Sequence, residues 1–315
     1  MEKKPQTLQE AIQHYSDQDV CISEFASMRW PDGPVCPHCD GREHYHLKTQ
    51  RRWKCKACRK QFSVKVGSIF EDSPLGLDKW MTAAWLIANC KNGISSYEVA
   101  RALGVTQKSA WFMLHRLRFA MQTGSFMKLG GGGNAVEVDE TFIGGKARNM
   151  HLDKKARRIT GTGGKDKTVV MGILERGGKV RASVISDRRK KTLQAEIKKH
   201  VRAGSALYSD ELLSYEGLAK DYAHAVINHA VAYVDGKVHT NGMENFWSLL
   251  KRGINGTYVS VEPFHIFRYL DEQTFRYNNR KDQNDADRFA ELMSNAAGRR
   301  LTYSELTGKV GETSF

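Results

Sequence analysis

The chain has 315 residues, 40% of them hydrophobic and 10% aromatic, enough for about two domains with full cores. Its 49 Lys and Arg against 35 Asp and Glu leave a formal charge of +14 and a pI near 9.5; that excess suits a polyanionic partner, nucleic acid foremost, because phosphate neutralisation supplies most of the affinity for it. No apolar run approaches the ~20 residues of a membrane span, and Met1-Glu-Lys-Lys-Pro5 lacks the apolar core of a signal peptide, so the expectation is a soluble, intracellular protein with no membrane partner.

Four of the six cysteines fall in two tight pairs, which suits metal binding in a reducing compartment better than disulfides. Residues 1–30 form a first segment, in which Leu8, Ile12, Tyr15, Val20, Ile22, Phe25 and Trp30 predict one or two short amphipathic helices. Cys21 on that face, like Cys90 further on, reads as a small buried hydrophobe. The next module, over 31–70, holds Cys36-Pro-His-Cys39 and Cys55-Lys-Ala-Cys58, with fifteen residues between the pairs. Two such knuckles bring four thiolates around one Zn²⁺, and the residues between them alternate like the short strands of a zinc ribbon. An iron site or a redox dithiol shares the spacing; a closed set of four thiolates with no electron-transfer feature beside it favours one structural zinc. His38, His44 and His46 fall outside a shell that is already full. Arg51, Arg52, Lys54, Lys56, Arg59 and Lys60 make the ribbon basic.

A helical module follows over 71–129. Trp80, Ala83, Ala84, Ile87 and Ala88 share one face, Ser95 and Glu98 have the spacing of a capping box, Gly104 ends that helix and Thr106 starts another. The pattern predicts a helix-turn-helix that presents Gln107, Lys108, Arg116 and Arg118 to DNA, Gln107 and Lys108 foremost; a plain helical hairpin is the alternative. Gly130 to Gly133 read as part of a flexible linker, 130–135. Behind it, 136–285 is an α/β domain. Strands are expected at 136–144, 167–174 and 180–186, then a helix at 193–201, a strand at 206–210, a helix at 212–220 and a strand at 224–228, which implies a mixed sheet with helices on both faces. The Lys- and Arg-rich stretch 146–167 reads as a mobile basic loop that contacts DNA.

From His239 to Ile254 a helical pattern places Glu244 and Lys251 two turns apart on one side, with Phe246, Leu249 and Leu250 as the apolar stripe. Asp139 and Asp210 each sit within or at the end of a strand-like run, so three carboxylates are expected to converge. Such a cluster calls for a counter-charge, and a pair of divalent hard cations supplies it. Each acid taken singly is more commonly a surface salt-bridge partner; the argument lies in the three together. A further helix is expected over 258–277, and 286–315 reads as a polar, weakly helical tail.

With Glu137-Val-Asp139-Glu-Thr141, Tyr208-Ser-Asp210-Glu211 and His239-Thr-Asn-Gly-Met-Glu244-Asn-Phe-Trp-Ser-Leu-Leu-Lys251-Arg-Gly253 behind a ribbon and a helix-turn-helix, the chain resembles a bacterial insertion-sequence transposase of the DDE type. The resemblance runs from Cys36 to about Arg280. It implies an RNase H-like catalytic domain in which Asp139, Asp210 and Glu244 are the catalytic acids and hold two Mg²⁺ (or Mn²⁺) ions, with Lys251 as the basic residue two turns on. Some relatives carry Asn as the third acid, which brings Asn241 and Asn245 into view; Glu244 is the acid in register with Lys251. The implied partners are transposon-end and target DNA, in a homo-oligomer located in the cytoplasm, on the nucleoid. A domesticated DNA-binding regulator with an inactive domain is the alternative, and an RNA-directed nuclease a third reading.

Overall fold

Side-chain caps begin most of the helices outside the sheet. Thr7 and Ser95 close capping boxes with Glu10 and Glu98, and the Thr106 hydroxyl accepts the Ser109 N–H, giving acceptors to amides that no helical carbonyl reaches. In the computed structural model of the chain, which describes residues 4–122, 124, 127–145, 151–158, 167–227 and 239–308, the residues divide into one unit of Met1–Gln122 with Lys281–Phe315 and a second of Thr123–Arg280.

The first unit contains α1 (Leu8–His14), α2 (Gln18–Arg29), an antiparallel ribbon of β1 (His44–Leu47), β2 (Arg52–Cys55) and β3 (Gln61–Phe62), then α3 (Leu77–Asn89), α4 (Ser96–Leu103) and α5 (Gln107–Met121). Eight of the thirteen residues of α3 are buried, Trp80 and Trp85 among them, and α1, α2 and α5 pack around it. Helices α4 and α5 turn at Gly104, whose φ of +60° suits a residue without a Cβ; this is the expected helix-turn-helix. The stretch expected as a weakly helical tail differs. Asn284 and Asp287 close a capping box that starts a later helix (Asp285–Ser294), which buries Phe289, Leu292 and Met293 and stacks Phe289 against Trp85 at 5.3 Å between ring centroids. Three apolar residues at i, i+3 and i+4 suffice for a short docked helix, although the surrounding sequence is polar.

In the second unit β4 (Val136–Ile143), β5 (Thr168–Glu175) and β6 (Val180–Ile185) form the expected antiparallel meander, and β7 (Ala206–Asp210) and β8 (Ala223–Ile227) add in parallel on the far side of β4, giving the order β6-β5-β4-β7-β8. Between β4 and β5, α6 (Leu152–Arg158) occupies part of the expected basic loop, the rest of which, 146–150 and 159–166, lies outside the described residues. One face of the sheet packs Val136, Val138, Met171 and Ile173 under α7 (Lys190–His200). The other packs Ile143, Val170 and Leu174 under α8 (Asn241–Arg252) and α9 (Ile266–Asn278). The result is the mixed α/β sheet of an RNase H-like domain, covered on both faces, which is why β5 reads as an almost unbroken apolar run. The short helices of the first unit's C-terminal part then complete the set as α10 (Asp285–Ser294) and α11 (Tyr303–Leu306).

Three local expectations change. Residues 212–220 form two 3₁₀ turns, Leu213–Tyr215 and Leu218–Lys220, instead of one helix, because Gly217 between them sits at φ +88°. The 258–277 helix starts only at Ile266: a π-helix, Gly253–Tyr258, extends α8, and Pro263 opens a 3₁₀ turn before α9. The first half of the glycine run is not a free linker. Leu129 bridges to Val201, and a Cβ on Gly130 or Gly131 would lie 2.4 Å from Ser205 Oγ or 2.6 Å from Arg202 Cδ, so these glycines allow the backbone to lie against the sheet domain. Among the described residues no helix is long and apolar enough to cross a membrane.

Candidate active site

Strand register brings two of the expected acids together. Strands β4 and β7 run parallel with Val136 beside Leu207 and Glu137 beside Tyr208; Asp139 and Asp210 lie two residues further along these two strands, close enough that the Asp210 charge acts on the Asp139 carboxyl. Side-chain alternation turns both toward α8, since Val138 and Leu207 belong to the opposite core.

Asp139 is oriented by two donors. The Glu140 backbone N–H reaches Oδ1 at 2.8 Å and the Trp247 indole N–H, from α8, reaches Oδ2 at 2.9 Å. The indole lies this close to the sheet because Asp139's neighbour on β5 is Gly172, where a Cβ would lie 2.0 Å from Met243 Cε and 2.7 Å from Trp247 Cζ2. Burial, with the charges of Glu140 and Asp210 added to it, pushes the Asp139 carboxyl up to about 7. Each Asp139 oxygen keeps a lone pair beyond its N–H donor. A buried carboxyl held up by like charge, beside a second carboxylate, fits a hard divalent cation.

A second group of side chains fixes where α8 begins. Glu137, 1% exposed, accepts the Met243 N–H on Oε2 at 3.0 Å and the Arg176 Nε–H on Oε1 at 2.7 Å. Arg176 also donates to the His239 carbonyl at 2.7 Å and lies 2.9 Å from His239 Nδ1, with its guanidinium 4.6 Å from the Tyr208 ring centroid. Gly242 belongs to the same fit, because a Cβ there would come within 2.7 Å of Glu137 Oε2. The buried carboxylate therefore caps the first turn of α8, where anions are favoured. Glu140 points to the opposite face: it accepts the Tyr215 hydroxyl at 2.5 Å and lies 3.5 Å from Arg188, and burial raises its carboxyl above the usual range.

Glu244 and Lys251 are exposed on α8, one turn before and one turn after Trp247. Among the described residues, the four cysteines are the only three or more His, Cys, Asp or Glu ligand atoms within 4.8 Å of one another. Glu244 thus does not close with Asp139 and Asp210 into a cluster as tight as metal ligands.

Residues 128–278 match the family profile described as ISXO2-like transposase domain, and residues 16–61 match the one described as transposase zinc-ribbon domain. An uncharacterized transposase-like protein of Haemophilus influenzae is 30% identical over 102 residues, which span 82% of that protein and 32% of this chain. The chain belongs to the insertion-sequence transposases. An uncharacterized protein in transposable element ISH50 of Halobacterium salinarum is 26% identical over 247 residues, 73% of this chain and 81% of that protein.

The transposase's zinc ribbon is built from two matching knuckles. Cys36 and Cys55 each accept from the residue four on, Asp40 or Arg59, and donate to the carbonyl of the residue five on, Gly41 or Lys60; Asp40 and Arg59 take φ of +57° and +63° to close the turn. The Cys58 amide, as the main cause, lowers the Cys55 thiol to about 7. Sulfur atoms of Cys36 and Cys58 are 3.7 Å apart and those of Cys39 and Cys55 3.6 Å, close to the ~3.8 Å edge of a tetrahedron with Zn–S bonds of about 2.3 Å. Four thiolates at this spacing hold a structural zinc.

The helix-turn-helix of the transposase corrects two expected DNA contacts. Arg116 and Arg118 are 4% and 1% exposed; Arg116 donates to the Ile69, Glu71 and Leu301 carbonyls. Every residue of α5 from Met113 to Arg118 is buried, so these cations tie the unit together instead of facing a groove. Lys108 is exposed, its ammonium 5.1 Å from the Tyr303 ring centroid, and Gln107 is half-buried with its amide donating to Ser96 Oγ at 2.8 Å. Trp247, Gly172 and the Glu137–Arg176 pair were not singled out as functional from the sequence. Trp247 and Glu137 lie inside the motifs quoted above, but only packing shows what they touch.

Proposed function

We propose that this transposase binds the ends of its element through the ribbon and the helix-turn-helix, with Gln107 and Lys108 toward the DNA, and cuts and rejoins strands at Asp139, Asp210 and Glu244. The observation that supports this reading is the parallel pairing of β4 and β7, two neighbouring strands that carry Asp139 and Asp210 toward the same end of the sheet, with burial lifting the Asp139 carboxyl to about 7. A pair of Mg²⁺ (or Mn²⁺) ions would supply charge neutralisation on both the attacking and the leaving oxygen of an in-line displacement. Asp139 and Asp210 hold the site from the sheet and Glu244 completes it from α8, whose start Glu137 caps and whose Trp247 keeps the Asp139 carboxylate oriented. Lys251 holds a strand phosphate beside the acids. Hydrolysis of an end and transfer of its 3′-hydroxyl to target DNA differ in the nucleophile and leave these roles unchanged.

Full-length protein incubated with Mg²⁺ and a plasmid carrying the element's ends tests the reading. Wild type is expected to nick at the ends, while Asp139→Asn and, separately, Glu244→Gln bind the same DNA and do not nick. Nicking by Asp139→Asn at the wild-type rate would sink the proposal, and nicking by Glu244→Gln alone would remove only the third acid. The separation of Glu244 from the aspartates favours a second reading, a DNA-binding regulator on an inactive domain; binding by wild type with no nicking in Mg²⁺ or Mn²⁺ is its signature. Action on paired ends calls for a homo-oligomer on DNA, to be checked by light scattering of the complex.

A further inference from the structure

Strand β6 runs out into Ser186-Asp187-Arg188-Arg189-Lys190-Lys191, four consecutive cations that no role above uses. They emerge at the edge of the sheet where the acids lie. Asp139 pairs with Gly172 and Gly172 with Ala182, so β6, parallel to β4 across β5, leaves the sheet at Ile185 on the same side as the C-terminal ends of β4 and β7. Arg188 bears this out: its guanidinium is 4.7 Å from the Phe142 ring centroid and 3.5 Å from Glu140, the residue next to Asp139.

A run of charges is most often a solvated face, and two features set this one apart. Its backbone is braced: Asp187 Oδ1 accepts the Arg189 N–H at 2.9 Å and the Thr192 hydroxyl at 2.7 Å, and Ser214 Oγ donates to the Arg188 carbonyl at 2.7 Å. Gln194 in turn ties α7 to the Ser214 and Glu216 carbonyls at 3.0 and 2.9 Å. Beyond the Arg188–Glu140 pair, its charge is also in excess. The one acid in the run, Asp187, is committed to the loop, and Arg189, Lys190 and Lys191 are exposed with no ion pair among the described residues. Unpaired cations on a braced backbone attract a polyanion with no loop left to order at the moment of contact, only the side chains themselves.

We infer that Arg188 to Lys191 form a phosphate-binding rail that guides the DNA strand into the acid site, from the face of the sheet opposite α8. The rail holds backbone phosphates and reads no bases. Arg188, already engaged by Glu140 and Phe142, positions the rail's near end; Arg189, Lys190 and Lys191 carry the strand. The inference rests on the reading of Asp139 and Asp210 as the cutting site.

The test uses binding alone, so that it stands apart from cleavage. Fluorescence anisotropy of full-length, zinc-loaded protein on a labelled duplex of about 40 bp and arbitrary sequence, without added Mg²⁺ or Mn²⁺, is followed from about 50 to about 300 mM salt for wild type, for Arg189→Gln/Lys190→Gln/Lys191→Gln, and for Lys198→Gln/Lys199→Gln at the other end of α7. Each lost phosphate contact lowers the slope of log K against log salt by about 0.9. The triple variant is expected to flatten it by roughly 2 to 3, with the control double variant unchanged and circular dichroism the same for all three. A triple variant with the wild-type slope overturns the rail; so does an equal flattening per charge in the control, which would reduce the effect to net charge. If the rail result stands while Asp139→Asn still nicks DNA, the catalytic reading fails and the rail does not.

Discussion

At the scale of single residues, Asp139 shows what the site costs the fold. Its carboxyl, up to about 7 against an ordinary 3.8, keeps its proton in the folded chain over a range where the unfolded chain has lost it. Stability is therefore undiminished below about 4, falls as pH rises from there to about 7, and is flat above, the total loss being on the order of 4 kcal/mol in the absence of a bound divalent ion at the carboxyl. With the zinc in place and no Mg²⁺ or Mn²⁺ added, Asp139→Asn at pH 8 is expected to melt higher than wild type, with the gap closing toward pH 4; differential scanning calorimetry across that range reads it, and a gap independent of pH would count against the buried, repelled carboxyl. Added Mg²⁺ should narrow the gap at pH 8 by stabilising wild type alone. Arg116 and Arg118 teach the opposite lesson about side chains. Arginine is seldom buried, so sequence favoured DNA contact; the packing of α5 buries both, and for Arg116 three carbonyl acceptors make that burial possible.

At the scale of an element, the position of α8 relative to the sheet governs whether Glu244 and Lys251 serve the same pocket as Asp139. The motif around Glu244 was legible because an acid and a lysine two turns apart share a helix side. Its seating was not, because it depends on Gly172 and Glu137, which are distant in sequence. Gly172→Ala places a methyl 2.0 Å from Met243 Cε and against the Trp247 ring; the methionine end can swing away and the indole cannot. Such overpacking costs about 1–3 kcal/mol, and the displaced Trp247 should lose its bond to Asp139. The expected outcome is a modest fall in melting temperature with a loss of nicking activity at least tenfold, measured side by side. Unchanged activity at that cost in stability would mean that the contact between α8 and the sheet does not position the acids.

At the scale of the whole molecule, each unit relies on residues that sequence order does not group. The first unit includes the chain's C-terminal part, where Phe289 meets both Trp85 and Tyr15 at 5.3 Å. Truncation after Arg280 exposes the α3 core that α10 covers, and losing a buried phenylalanine alone costs about 3–5 kcal/mol. Limited proteolysis should then find cleavage within 4–122 while 167–227 stays protected; a truncated protein as resistant as wild type would restore the tail reading. The zinc site adds a separate prediction in the same unit. Because structural zinc contributes folding free energy outright, a strong chelator should release one zinc per chain and leave the ribbon, but not the β4–β8 sheet, open to protease.

Sequence alone determined the elements whose signal is local: the two cysteine knuckles, the helix-turn-helix caps, the succession of strands along the sheet domain and the spacing of Glu244 and Lys251. Such features arise from the chemistry of a few neighbouring residues, so a short window contains them. Tertiary structure alone decided which cations are buried, that Gly130 and Gly131 lie against Ser205 and Arg202, that α10 joins the first unit, and that Gly172 and Glu137 seat α8 beside Asp139. Those outcomes depend on what a side chain meets after the chain has folded, and the partner is as often 50 or 200 residues away as next door.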